Sequence, residues 1–147
     1  MKLNSKLFIS TLILAVMLPL TSRAEHPRYM HALTDLRDAR FSLEHRRGDP
    51  DVRAHENVAV EEIDRAIREL QVAAIEDGKS PAWHPHEDAN IDRGGRLHRA
   101  LDLLREARSD VAMREENREA REMQRRALAH IEIALRETER ALNDVRR

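Results

Sequence analysis

Eight histidines carry most of the chemistry this chain could do: His26, His31, His45, His55, His84, His86, His98 and His130. Imidazole titrates near neutral pH and is the commonest neutral metal ligand. The densest group is His84-Pro85-His86-Glu87-Asp88, two imidazoles and two carboxylates within five residues. It has the H-x-H-x-D spacing of a metallo-hydrolase motif. That motif needs a β-scaffold and further distant ligands, and the chain has no strand pattern, so the hydrolase reading is set aside. What is left is a loop that either binds Cu, Zn or Ni loosely, since imidazole suits all three, or is simply solvated.

His31 and Asp35 lie one helical turn apart and could hold a divalent ion together. Asp38, Ser42 and His45 continue the same face, which reads otherwise as a solvated polar face opposite an apolar stripe. His31 and His45 are about 21 Å apart along a helix and cannot share one ion. His98 and Asp102 repeat the one-turn spacing. His55 and His130 flank apolar stripes, where a histidine ordinarily donates to a nearby carbonyl or carboxylate; convergence between helices would instead build a metal or haem site. Glu25-His26 would chelate Cu(II) if Glu25 were the first residue after cleavage. The candidate metal ligands are therefore His84 and His86, then His31 with Asp35, then His98.

Several catalytic signatures are missing. There is no E-x-x-H pair of the kind di-iron bundles use, no G-x-S-x-G, no P-loop and no H-E-x-x-H. The chain has no cysteine, which excludes disulfides, thiolate sites and covalent c-type haem. Serine and threonine are sparse, and none has an evident base beside it. An enzyme is not expected.

The elements that must position these residues are helices. Met1–Ala24 reads as a secretory signal peptide: Lys2 and Lys6, the apolar run Leu7–Leu18, Pro19, then small residues at Ser22 and Ala24 before the cut. The run is too short for the roughly 20 residues of a spanning helix. Of the 147 residues, 123 then remain with a formal charge of −4, because the segment takes away Lys2, Lys6 and Arg23 and no acid. A mildly acidic balance argues against a nucleic-acid binder. The remaining length allows one domain, 25–147, with no membrane-spanning segment and a periplasmic or secreted destination.

In that domain Tyr29, Leu33, Leu36 and Leu43 share one helical face. Gly48 and Asp49-Pro50 end one helix and start the next. Ala59, Ile63, Ala66, Ile67, Leu70 and Ala74 make the second stripe, which Asp77-Gly78 closes. Lys79–Arg93, with Pro81, Pro85 and the only tryptophan, Trp83, reads as an irregular loop. A third helix over about Gly95–Met113 carries Leu97, Leu101, Leu104, Arg108 and Val111. A fourth over about Asn117–Val145 carries Ala120, Met123, Ala127, Ile131, Ala134, Thr138, Leu142 and Val145. On one continuous rod these two stripes would lie about 120° apart, so a break near Glu115-Glu116-Asn117 is predicted. No repeat of fixed period is evident. The fold class is all-α, an antiparallel four-helix bundle after a cleaved signal peptide.

The stretch His26–Arg40 (HPRYMHALTDLRDAR) resembles the start of a group of exported, all-helical bacterial proteins. Glu62–Ile67 and Arg96–Leu101 extend the likeness over most of the chain. The resemblance implies export and helical shape, and no activity. Ala127–Ala134 (ALAHIEIA) is similar in style to helices of small histidine-rich periplasmic metal-binding proteins, whose histidines are more numerous and regularly repeated. Two functions follow as expectations. One is a histidine-based transition-metal protein. The other is a metal-free module that docks an envelope partner or another copy through its charged helix faces.

Overall fold

The computed structural model describes residues 28–44, 50–76 and 93–147. Met1–Ala24, read above as a signal peptide, with His26, His45, Gly48, Asp49, Asp77-Gly78 and most of the Lys79–Arg93 stretch, including His84 and His86, lie outside the described residues. Within them the protein is all-α, a helical bundle of four helices with no strand: α1 (Tyr29–Glu44), α2 (Pro50–Glu76), α3 (Arg93–Val111) and α4 (Arg118–Val145). Among the described residues no helix is long and apolar enough to cross a membrane.

The core is leucine and alanine. Leu33, Leu36 and Leu43 of α1, Ile63 and Leu70 of α2, Leu97 and Leu104 of α3 and Ile131 of α4 are all but fully buried. Alanines fill the positions between them on every helix, which lets the backbones approach closely while each adds little apolar area. Each helix packs on two neighbours, in the ring order α1, α2, α4, α3.

Side-chain pairs give the register. Arg126, His130 and His55 link α4 to α2 through Glu69, Glu62 and Glu137, so rising positions on α2 meet falling positions on α4. His31 meets Asp110 and Ser42 meets Arg96 across α1 and α3, with the same reversal. Arg93, at the start of α3, lies 3.5 Å from Glu56 near the start of α2. Hence α3 begins at the end of the bundle where α2 begins.

The break between the last two helices falls where the change of stripe phase requires it. α3 stops at Val111, and Asn117 caps α4, its side-chain oxygen accepting from the backbone N–H groups of Glu119 and Ala120. Tyr29 and Gln124 hold the intervening turn. The Tyr29 hydroxyl donates to Glu115 at 2.6 Å, and Gln124 donates to the Val111 and Met113 carbonyls at 2.5 and 2.6 Å.

Three sequence assignments change. Asp35 and Ser42, read as part of a solvated face, are buried, because α1 packs against both α2 and α3 and its covered arc is correspondingly wide. Arg108, placed on the α3 stripe, is exposed and pairs with Glu132 of α4. Val145, placed on the α4 stripe, is 40% exposed because the helix ends there.

Candidate metal centre

The first turns of α1 and the last turn of α3 bring His31, Asp35 and Asp110 together. Their three donor atoms lie within 4.8 Å of one another. His31 Nδ1 stands 3.0 Å from Asp110 Oδ2 and 3.7 Å from Asp35 Oδ2. The one-turn spacing on α1 supplies the first two residues. The pairing of α1 with α3 supplies the third, and Gln124 fixes the end of α3 through the Val111 carbonyl, next to Asp110.

Burial is uneven within the group. His31 is exposed, Asp110 partly covered, and Asp35 only 5% exposed. Asp35 Oδ2 is buried and has no hydrogen-bond partner. A buried carboxylate oxygen in that state is costly. The cost appears in its acidity. Burial pushes the Asp35 carboxyl up to about 6; His31 opposes the shift, while Glu106, Asp110 and Asp38 add to it. Arg28 is the nearby cation, 3.9 Å from Asp110 and largely exposed. Asp110 also stands in the C-terminal turn of α3, where the helix dipole disfavours an acid by roughly 0.3–1 kcal/mol. Two carboxylates are therefore held close together, one of them buried, with exposed His31 and Arg28 as the cationic partners beside them.

The donors suit a divalent ion. Ligand bonds of about 2.0–2.2 Å put two donors on one ion about 2.8–3.6 Å apart at octahedral to tetrahedral angles, close to the 3.0 and 3.7 Å separations around Nδ1. One imidazole and two carboxylates fit Zn and other borderline divalent metals. Three protein ligands also leave positions for water. The mouth is a recess of about 220 Å³ lined by Arg28, His31, Glu106, Ser109 and Asp110. Without an ion, the His31 Nδ1–H can donate to Asp110 Oδ2, 3.0 Å away.

The other sequence candidates fare differently. His98 is exposed. Its Nδ1–H donates to the Gly94 carbonyl at 2.7 Å, and Nε2 accepts from Arg146 at 2.9 Å. Both ring nitrogens are engaged, and Asp102 accepts from Arg105 instead. His55 and His130 sit between α2 and α4 and face Glu137 and Glu62 at 2.7 and 2.6 Å. They are the carboxylate-paired boundary histidines that their positions suggest. His84 and His86 lie outside the described residues. No three imidazoles converge among those described, and Asp110 is the member of the group that sequence spacing could not supply.

Comparison of the chain with protein-family models, with curated proteins and with solved structures gave no match. The functional reading therefore rests on the geometry.

Proposed function

We propose that the chain is exported to the periplasm or outside the cell, and that residues 25–147 form an antiparallel four-helix bundle that holds a divalent transition metal between α1 and α3. The reversed registers of the α2–α4 and α1–α3 pairs support the antiparallel arrangement. The three-part pattern of Met1–Ala24 supports export. The observation that carries the metal is the buried Asp35 Oδ2, which has no hydrogen bond and faces the same imidazole nitrogen as Asp110. An ion there satisfies that oxygen and cancels both carboxylate charges. The role is binding, for buffering, delivery or sensing, with no catalytic step.

The metal-free docking module lacks a comparable observation. The large apolar side chains exposed among the described residues are Val58, Val72 and Val145, and isolated apolar residues are ordinary on any protein surface.

Elemental analysis of untagged protein, purified from the periplasm without chelators, tests the reading. About one Zn, Cu or Ni atom per chain is expected. A metal-free protein that also takes up no added zinc at micromolar levels contradicts it.

A further inference from the structure

The two halves of the bundle repeat each other. Shifted by 68 residues, α1 falls on α3: Arg28, Ala32, Leu33, Leu36, Arg37, Ala39 and Arg40 recur as Arg96, Ala100, Leu101, Leu104, Arg105, Ala107 and Arg108. Shifted by 75, α2 falls on α4: His55, Ala59, Glu62, Arg65 and Ala66 recur as His130, Ala134, Glu137, Arg140 and Ala141. The two offsets differ by seven residues, so no single period shows the repeat.

Amphipathic helices match at apolar positions by pattern alone. They do not for that reason share contacts, and these do. His55 Nδ1 meets Glu137 at 2.7 Å, and its counterpart His130 Nδ1 meets Glu62, the counterpart of Glu137, at 2.6 Å. Each of those glutamates also takes the arginine three residues on, Arg140 for Glu137 and Arg65 for Glu62. On the other seam, Arg28 approaches Asp110 at 3.9 Å, while its counterpart Arg96 reaches the carbonyl of Ser42, the counterpart of Asp110, at 3.4 Å. The contacts are exchanged when α1 is mapped onto α3 and α2 onto α4.

We propose that the chain is a tandem pair of one helical hairpin, α1–α2 and α3–α4, related by a pseudo-two-fold axis, and that His31, Asp35 and Asp110 occupy one of two equivalent places on it, the other being Arg99, Leu103 and Ser42. The second half of that statement rests on the metal reading above; the first does not. The twin place shows what the fold needs there by itself. Leu103, the counterpart of Asp35, is as good as buried at 9% exposure, against 5% for Asp35. Packing α1 on α3 calls for an apolar residue, and one half has a carboxylate in its stead. The centre is thus a departure from the internal symmetry, confined to the side that can hold a cation.

Zinc titration of the full chain by calorimetry tests this. Wild type takes up one equivalent. Arg99→His, Leu103→Asp and Ser42→Asp together build the twin, and the triple variant is expected to take up two. A folded triple variant that still binds one equivalent overturns the proposal. If it does not fold, the reverse change decides. Asp35→Leu makes the existing place resemble its twin, so it should raise the melting temperature of metal-free protein by several degrees, and a fall overturns the proposal. Wild type that binds no zinc sinks the metal reading alone. The duplication is then judged on the equivalent pairs. His55→Ala and His130→Ala should lower the melting temperature by the same amount within a degree or two, and a drop confined to one of them overturns it.

Discussion

The α2–α4 seam and the α1–α3 seam are built from the same residue types and end in different states. On α2–α4, Glu62 and Glu137 are nearly buried, and each receives a histidine from the facing helix and an arginine from its own. On α1–α3, Asp35 is equally buried, yet Oδ2 has no hydrogen-bond partner and the surrounding charges are mostly acidic. The first seam is a satisfied ionic network whose worth is structural. The second holds a buried carboxylate oxygen with no hydrogen bond, and His31 and Asp110 stand where, on the proposed reading, they would share an ion with it. A histidine next to a carboxylate is therefore not the functional signal. What marks the candidate centre is the combination of a buried carboxylate oxygen without a hydrogen bond and a second carboxylate and an imidazole within ligand reach of it.

Mutations that separate the seams sharpen this contrast. The largest effect falls on zinc affinity: Asp35→Asn should weaken it at least about 100-fold, measured by competition with a chromophoric chelator, while the helical circular dichroism stays unchanged. On the other seam Glu62→Gln should leave zinc affinity within about twofold of wild type. It should cost about 1–3 kcal/mol in urea denaturation, because His130 and Arg65 lose their shared charged partner.

Acidity gives the next effect. The folded value of the Asp35 carboxyl, about 6, stands above its ordinary 3.8, so the folded metal-free chain binds that proton more tightly than the unfolded one. The resulting stabilisation is complete below about pH 4 and is lost as the pH rises through 6. Allowing for solvent in the adjoining recess, the contribution is on the order of 1–2 kcal/mol. Subtracting the pH–stability curve of Asp35→Asn from that of wild type should isolate it, and a flat difference between pH 4 and 7 would count against a buried, unmet carboxyl. The smallest effect concerns the turn that steadies α3. Asn117→Ala removes the cap of α4 and should cost about 1 kcal/mol, with little change in zinc affinity.

Much of the architecture was legible in the chain. Phase alone separates the third helix from the fourth, and Asn117 caps the fourth within a residue of the predicted start. The approach of His31 to Asp35 is legible because one helical turn is a local distance. Asp110 is not, since its place beside His31 depends on how α1 and α3 are set against each other. The burial of Asp35 was misjudged for a related reason: an apolar stripe shows one packed face, and α1 is covered by two neighbours. His98 is equivalent to His31 on spacing, and what sets the two apart is the engagement of its ring by the Gly94 carbonyl one turn back and by Arg146 at the end of α4.

Asp110 is also where the central claim is most exposed, since no local pattern places it in the centre. Zinc calorimetry on wild type and Asp110→Asn, both untagged and at pH 7, addresses it directly. Wild type should bind one equivalent, and the variant should lose at least about tenfold in affinity. Equal stoichiometry and affinity in the two proteins would contradict it and move the metal away from the α1–α3 seam.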